Sequence, residues 1–454
     1  MKSSFKKVQG VANGLAGDAI WAGIRDLSTL VVTFLSFTML QRVLDPTTYG
    51  GYVTVFAISA PLGALSFHGP GLSLLTSLIR DKATPGRMLS EFFSSVLATS
   101  AVSMLIGLAL SVWIVDTLSF AEIFFLLGAE LIGSATVIIL GAFMQAQSGF
   151  ASMARLRIGI LIIRFIVLIV LVISDSRLAA DFEFLEAIPL PYERAEALTI
   201  LNIGIAYFVG FSLYSLLTIK LVQYKYSVAV SPVRSVSGAF KKSLSFSIPM
   251  GADQVKMQGD KVVLQSFGFA TDTGLYGAAY RVILLGMAPL IAVNAAIFER
   301  FLPQDGAQEG IHLKRSIKFT ALVTAISILV SVFIFFALPF IDFIFGDEFI
   351  EAKEIVPWLL PLIPLIALSN TPLNGLVGLG RDRERTWLYV GAAAFSLVTY
   401  FVLIPPFGWP GAAVGTLVSE AVLAIASWIM LVRYQNRRDE EIVADKSEKE
   451  STRA

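Results

Sequence analysis

Charged side chains inside long apolar segments are the residues of this sequence most able to do chemistry. The apolar segment near 243–268 carries several of them, and single charges interrupt other apolar segments. A charge in hydrocarbon costs at least about 2.5–3.5 kcal/mol on insertion scales, so such a residue usually faces a cavity or a partner. The candidates are Lys256, Lys261, Arg164, Arg281, Arg25, Asp253, Asp260, Glu130 and Glu420.

The cations among them could bind an anionic ligand. A guanidinium group binds phosphate through a planar, bidentate fork, which suits a diphosphate in a poorly hydrated cavity. Other interpretations stay open for each cation. Arg25 and Arg164 could extend to the nearby inner surface, and Arg281 could pair with an acid or extend to the outer surface. Lys256 and Lys261 could serve only a local charge network.

The acids could bind a coupling ion or balance buried cations. Glu130 and Glu420 lie near mid-membrane, where a carboxylate can bind and release H⁺ or Na⁺, or stay neutral or paired with a cation. At 100° per residue, Asp253, Lys256 and Asp260 form one helical stripe, spaced for local pairing. A second polar stripe lies beside it and consists of Gln254, Gln258, Lys261 and Gln265. This helix should therefore line a wet cavity or a buried network rather than face lipid.

The composition indicates what kind of protein positions these charges. The chain has 454 residues, of which 56% are hydrophobic and 15% charged, and its mean hydropathy is +0.74. Soluble domains are about 25% charged, so the sequence predicts an integral membrane protein. No GxxxxGK[ST] loop occurs, and the absence of cysteine excludes disulfides, zinc–thiolate sites and cysteine nucleophiles. We predict no cofactor, no metal site, no enzymatic activity and no nucleic-acid partner.

Twelve apolar stretches are long enough to cross a membrane as helices. The second and tenth are interrupted by Gly69-Pro70-Gly71 and by four prolines. The stretches lie near 18–41, 49–78, 89–115, 118–145, 155–173, 197–221, 243–268, 274–298, 317–341, 355–378, 386–404 and 410–433.

The basic residues support this count independently. With the N-terminus inside, about 26 of the 35 Lys and Arg residues fall in inner segments and about four in outer segments, as expected because Lys and Arg accumulate on the cytoplasmic side. The longest outer loop, about 174–196, is acidic. The sequence therefore predicts a multi-pass protein whose N- and C-termini are both cytoplasmic.

A repeat divides the membrane portion into halves. Asp45-Pro-Thr-Thr-Tyr-Gly-Gly-Tyr matches Thr271-Asp-Thr-Gly-Leu-Tyr-Gly-Ala-Ala-Tyr, with Gly50 opposite Gly274 at an offset of about 224 residues. An offset of six spans keeps the halves in one orientation, and a transport site is then expected between them. We predict an N-lobe (1–222), an inter-lobe linker (223–242), a C-lobe (243–434) and a disordered polar tail (435–454).

The same turns resemble those of the polysaccharide transport family, the Wzx-type oligosaccharide flippases. Similar motifs are Phe345-Gly-Asp-Glu-Phe-Ile-Glu-Ala and Phe407-Gly-Trp-Pro-Gly-Ala-Ala-Val-Gly. The superfamily also contains multidrug-and-toxin extruders and lipid II flippases. The resemblance implies an all-α fold of two six-helix lobes around a central cavity, alternating access, and a polyprenyl-diphosphate-linked glycan as cargo in a bacterial inner membrane.

These observations favour a lipid-linked oligosaccharide flippase for cell-surface polysaccharide biosynthesis. Its partners would be the glycan, membrane lipids, an H⁺ or Na⁺ coupling ion and polysaccharide assembly machinery. An ion-coupled multidrug or cation exporter of the same superfamily is the alternative, although its cavity should be mainly acidic or apolar. A membrane glycosyltransferase would need a larger acid-bearing outer loop, and an assembly scaffold would not need the polar seventh span.

Overall fold

The computed structural model of the chain is all-helical in the parts that it describes, which are residues 21, 23–25, 27–80, 84–175, 199–230, 236–290, 293, 313–343 and 347–451. The polar N-terminus and nearly all of the acidic outer loop lie outside the described residues. The described chain forms twelve helices, in agreement with the count of apolar stretches. They are α1 (Gly23–Gln41), α2 (Pro46–Arg80), α3 (Pro85–Ile114), α4 (Phe120–Ser148), α5 (Phe150–Ser174), α6 (Ile200–Tyr226), α7 (Ser237–Ser266), α8 (Ala270–Gly286), α9 (Leu313–Ala337), α10 (Ala352–Gly378), α11 (Asp382–Phe407) and α12 (Trp409–Ser451).

Helix starts follow local sequence signals. Asp45 caps α2 by accepting hydrogen bonds from the backbone N–H groups of Thr47 and Thr48 at 2.9 and 3.0 Å, and Pro46 takes the first helical position, where its missing N–H costs nothing. Partial burial acts to raise the pKa of the Asp45 carboxyl, but the hydrogen bonds from Thr48 and Thr47 outweigh it and hold that pKa below its usual value. α4 begins with a capping box between Ser119 and Glu122, which satisfies backbone N–H groups at the start of the helix.

Ten of the twelve helices are long and apolar enough to cross a membrane. Large apolar side chains such as Leu105, Trp113 and Phe333 stay exposed on their outer faces, as lipid contact requires. The two exceptions are α7, which is too polar, and α8, which is described over only 17 residues. No residue of α7 from 251 to 265 is exposed. The prediction that the polar part of this helix does not face lipid is therefore confirmed, and the protein is a multi-pass membrane protein.

Both predicted interruptions occur, in different forms. In α2 a π-helical turn, Ala64–His68, precedes Pro70, and the N–H of Gly69 donates to the carbonyl of Ala64. Proline lacks a backbone N–H, so the carbonyls before it must find other donors. α10 breaks between Leu359 and Leu362. A second π-helical turn, Gly128–Gly133 in α4, was not predicted from the sequence.

Helices α1–α6 and α7–α12 form two lobes that meet mainly through α2, α7 and α8. The repeat is visible in this contact, because the Thr47 and Thr271 hydroxyls, 224 residues apart, lie 2.9 Å from each other. A Cβ added to Gly50 would clash with the Ala270 carbonyl, and one added to Gly274 would clash with the Pro46 carbonyl. Equivalent residues thus face each other across a pseudo-two-fold axis, as in an isologous interface.

Two boundaries differ from the sequence-based expectation. The linker 223–242 is helical at both ends, because α6 continues to Tyr226 and α7 begins at Ser237. The tail 435–454 was predicted to be disordered, but α12 continues to Ser451. The tail is rich in Glu, Lys and Arg, which have high helix propensity, so a polar segment can extend a helix that the membrane has already nucleated.

The glycine contact at the pseudo-two-fold axis generates a prediction. Gly274→Ala should lower the stability of the protein by about 1–3 kcal/mol, because its new methyl group has no space beside Pro46. Thermal unfolding in detergent measures this change. Gly391→Ala in α11 is the matched control, since nothing lies within 4 Å of a Cβ there. Equal melting temperatures for the two variants would contradict the tight axial contact.

Candidate functional site

A cavity of about 410 Å³ lies between the two lobes, where the repeat predicted a site. We call it the central cavity. Both lobes contribute to its lining, through α1, α2, α4 and α5 on one side and α7 and α8 on the other. The lining residues are Thr33, Phe37, Phe56, Ser59, Ala60, Gly63, Ala64, Phe67, His68, Glu130, Arg164, Met250, Asp253, Gln254, Gln258 and Arg281. Four of the nine charged candidates are in this set.

Arg164 and Glu130 form an ion pair on the N-lobe wall of the central cavity. Arg164 reaches inward from α5, so it does not extend to the membrane surface. Three aromatic rings surround its guanidinium carbon at 5.3–5.8 Å, namely those of Phe56, Tyr207 and Phe211. Glu130 belongs to the π-helical turn of α4. Since Glu130 balances Arg164, this wall of the cavity is close to neutral.

Arg281 lines the central cavity from α8 and has a different environment. Its guanidinium carbon lies 3.6 Å from the centroid of the Phe37 ring on α1, and the Tyr49 side chain is one of its electrostatic neighbours. Within the described parts of the chain, no carboxylate lies within 4.0 Å of its guanidinium nitrogens. Stacking on a ring holds the guanidinium plane but leaves donors for a ligand.

Lys256 lies just behind the cavity wall, between two acids. Its ammonium donates to Glu420 Oε2 at 2.6 Å and lies 3.5 Å from Asp253 Oδ1. Ser369 donates to the other oxygen of Glu420 at 2.5 Å. Asp253 lines the cavity, whereas Lys256 and Glu420 are not in its lining. Local pairing of Asp253 with Lys256, one of the alternatives drawn from the sequence, is therefore present.

Lys261 and Asp260 lie in the interior of the C-lobe. Their side chains are 2% and 0% exposed and form an ion pair at 2.9 Å. Tyr276 and Thr416 donate to the second oxygen of Asp260 at 2.9 and 3.2 Å, and Lys261 lies 3.8 Å from the Tyr280 ring centroid. Both charges are satisfied inside the protein, and neither lines the central cavity. We predicted from the sequence that Lys261 is a substrate-binding cation, but in the structure it belongs to a buried ion-pair and hydrogen-bond network.

Arg25 packs at the α1–α5 contact instead of in the central cavity. Its guanidinium carbon lies 5.0 Å from the Phe150 ring centroid, and Nη1 lies 3.9 Å from Met153 Sδ. The predicted site thus divides into three groups. Arg164, Arg281, Asp253 and Glu130 are at the cavity, Lys256 and Glu420 are directly behind it, and Arg25, Lys261 and Asp260 are elsewhere.

The aromatic part of the site was missed by sequence reasoning. Phe37, Phe56 and Phe67 line the central cavity, yet in a chain with 34 Phe residues no single ring carries a signal. The π-helical turn that presents Glu130 is bounded by Gly128 and Gly133. Two glycines flanking an acid inside an apolar segment are the only signal that could have indicated it.

Comparisons with known proteins support the fold. No family model matches the sequence, and no curated protein matches it. Among solved structures, an inward-facing multidrug resistance MATE family transporter of the MOP superfamily aligns with a TM-score of 0.66 and 14% identity, over 92% of this chain and 99% of that chain. The lipid II flippase MurJ, in an inward closed conformation, gives a TM-score of 0.65 and 12% identity, over 91% and 87%. The MATE multidrug transporter DinF-BH, in a ligand complex, gives 0.61 and 14%, over 93% and 95%.

The chain therefore has the fold of the MOP superfamily transporters. The neighbours named above include both multidrug transporters and a lipid flippase. The predicted all-α fold of two lobes around a cavity is confirmed. Similarity at this level of identity concerns the fold alone, so the cargo has to be argued from the central cavity.

The charge group behind the cavity wall generates a prediction. Lys256→Met should destabilise the protein by about 3–5 kcal/mol, because Glu420, only 3% exposed, loses its cation. The double variant Lys256→Met/Glu420→Gln should recover most of this loss, since it removes both charges. Thermal unfolding in detergent measures both.

Arg87→Ala serves as the control, because the Arg87–Glu91 pair is at the surface, with Arg87 80% exposed. Its effect should stay below about 1 kcal/mol. A double variant no more stable than Lys256→Met would show that Lys256 does not act by neutralising Glu420.

Proposed function

We propose that this protein is a flippase that moves a polyprenyl-diphosphate-linked oligosaccharide from the cytoplasmic to the outer leaflet by alternating access. The observation that carries the proposal is Arg281, a cavity-lining guanidinium stacked on Phe37 with no carboxylate beside it in the described chain. Such a group is suited to hold a diphosphate through bidentate hydrogen bonds. Gln254 and Gln258 offer neutral donors and acceptors for sugar hydroxyls in the same cavity.

The distribution of charge supports an anionic group on the cargo. Arg164 and Glu130 cancel, whereas Arg281 contributes one positive charge that the described residues around it leave unmatched. Asp253 and Glu420 share the single ammonium of Lys256, which leaves one negative charge in that group. We place the coupling ion there, as H⁺ or Na⁺, because a monovalent cation would neutralise the group. Asp260 and Lys261 are balanced by each other and take no part.

The inter-lobe contact supports the transport cycle. α2 and α8 touch at their first turns, through Thr47 and Thr271. In the orientation proposed from the basic residues, with both termini in the cytoplasm, these turns are at the outer side. The cavity is then closed toward the outside, and separation of the two turns opens it there. The setting we propose is a bacterial inner membrane, with polysaccharide assembly machinery receiving the product.

Export of an organic cation or drug is the second candidate function. The cavity residues that favour it are the rings of Phe37, Phe56 and Phe67 and the carboxylates of Glu130 and Asp253, since aromatic faces and acids bind cations. The similarity to MATE structures is also compatible with it. It is less well supported, because Glu130 is already paired with Arg164 and Asp253 shares Lys256 with Glu420, which leaves at most one carboxylate charge for a cationic cargo.

The role of Arg281 can be tested in liposomes that contain a fluorescent polyprenyl-diphosphate oligosaccharide. Arg281→Gln should lower the rate at which the label becomes accessible from outside by about tenfold or more, because a hydrogen bond to a charged group contributes about 1.5–3 kcal/mol. Arg80→Gln, at the exposed end of α2, should translocate at the wild-type rate.

The same liposomes separate the two functions. Wild-type protein that moves a cationic dye but no lipid-linked oligosaccharide would favour the exporter. An Arg281→Gln variant that translocates oligosaccharide normally would leave the flippase but remove Arg281 from its site.

Separation of the lobes at the pseudo-two-fold axis can be tested by cross-linking. The chain contains no cysteine, so Thr47→Cys/Thr271→Cys introduces one defined pair at positions whose hydroxyls lie 2.9 Å apart. Oxidation of this pair should stop transport, and reduction should restore it. Each single cysteine variant is a control that should stay active in oxidant. Normal transport by fully cross-linked protein would mean that these helix ends do not separate.

A further inference from the structure

A second cavity, also about 410 Å³, lies at the seam where α2 and α3 of the N-lobe meet the first turns of α7. We call it the seam groove. Its rim carries Leu65, Val102 and Phe240, whose side chains are 41%, 56% and 43% exposed. Val102 lies near the middle of α3, which is long and apolar enough to span a membrane, so its exposed side chain contacts lipid. The seam groove therefore opens sideways toward the bilayer.

The seam groove is apolar although several of its residues are Ser or Thr. Four of these six hydroxyls are hydrogen-bonded within the protein. Ser66 and Ser103 share a hydrogen bond at 2.6 Å, and Thr99 donates to the Ser66 carbonyl at 3.0 Å. Ser247 donates to the Leu65 carbonyl at 3.2 Å. The surface of the groove is therefore formed mainly by carbon atoms, which match a hydrocarbon ligand.

A single turn of helix separates the seam groove from the central cavity. In the π-helical turn of α2, Ala64 and His68 line the central cavity while Leu65 and Ser66 line the seam groove. On α7, Ser247 borders the groove and Met250, less than one turn further, borders the cavity. The two spaces are thus opposite sides of one thin wall.

A hydrogen bond between α2 and α7 closes this wall, and its acceptor is a carbonyl that the π-helical turn leaves free. The Gly69 N–H donates to Ala64 in the π-helical turn, so the Leu65 carbonyl lacks its usual helical donor. It accepts from Ser247 across the lobe boundary. The contact is a hydrogen bond between uncharged groups, so it can break and be replaced by another hydrogen bond when the lobes move.

We infer that the seam groove binds the polyprenyl chain of the cargo while the diphosphate occupies the central cavity. This inference rests on the proposed function. It is supported by the shared wall, by the apolar lining and by position, because the groove lies beside the first turns of α7. In the proposed orientation these turns are in the cytoplasmic half, from which the cargo is loaded. A ligand with a charged head and a hydrocarbon tail fits the two adjoining spaces.

Photocross-linking in nanodiscs tests where the chain lies. A photoreactive benzoylphenylalanine replaces either Val102, in the groove, or Val112, on the same helix outside it; these valines are 56% and 50% exposed. A labelled polyprenyl-diphosphate oligosaccharide should cross-link several-fold more at 102 than at 112. Labelled phosphatidylethanolamine should show no such preference. Equal yields of the polyprenyl probe, or the same preference with phosphatidylethanolamine, would overturn the inference.

Filling the groove gives a second test. Ala98→Trp places a bulky ring in it, and Ala109→Trp places the same ring three turns along α3, outside it; both alanines are exposed, so neither change enters the core. Ala98→Trp should lower translocation several-fold, with Ala109→Trp unaffected. If wild-type protein translocates the cargo and Ala98→Trp does so equally well, the groove inference fails alone. If wild-type protein neither cross-links nor moves the polyprenyl cargo, the proposed function fails and the inference fails with it.

Discussion

The structure depends on keeping the charges of α7 away from hydrocarbon. This helix carries Asp253, Lys256, Asp260 and Lys261 within nine residues, and the insertion cost of such charges forbids an exposed position in the bilayer. The C-lobe encloses these charges in two groups, one around Glu420, which reaches the central cavity through Asp253, and one around Asp260. Their hydrogen-bond partners lie on α8, α10 and α12. Because α7 must be enclosed, it lies against α2 and α11, and this placement creates the inter-lobe boundary.

The second constraint comes from the backbone. A proline or π-helical turn in a membrane helix frees carbonyl groups, which need donors from elsewhere in the protein because lipid offers none. In α2 the Leu65 and Ser66 carbonyls receive hydroxyl donors from Ser247 and Thr99. One of these bonds crosses the lobe boundary and the other stays within the N-lobe. The irregular turn therefore joins the lobes through a contact that can be exchanged, next to both cavities.

The sequence predicted the fold well, because its signals are local or periodic. Span length, the polar face of α7 and the matched turns at Gly50 and Gly274 each follow from spacing alone. The site was predicted only in part, because the nine charges looked equivalent in one dimension. Whether a cation such as Lys261 or Arg281 faces ligand depends on which side chains of other helices reach it. The partner of Lys261 can be found in the sequence, because Asp260 is the adjacent residue. The surroundings of Arg281 cannot, because the lack of a described acid beside it follows from the packing of α8 against α1 and α2.

The two lobes share a fold but not a chemistry. The pseudo-two-fold axis relates Thr47 to Thr271 closely enough for their hydroxyls to meet, yet in the described chain the N-lobe has one ion pair at the cavity wall and the C-lobe has a group of three charges. An inter-lobe site of this kind binds its ligand asymmetrically, because each side presents different donors. The guanidinium of Arg281 and the carboxylates of Asp253 and Glu420, which share the ammonium of Lys256, belong to the same lobe. In the flippase that we propose, an anionic ligand at Arg281 would make binding of a small cation near Asp253 electrostatically more favourable, which would link the proposed cargo to the proposed coupling ion.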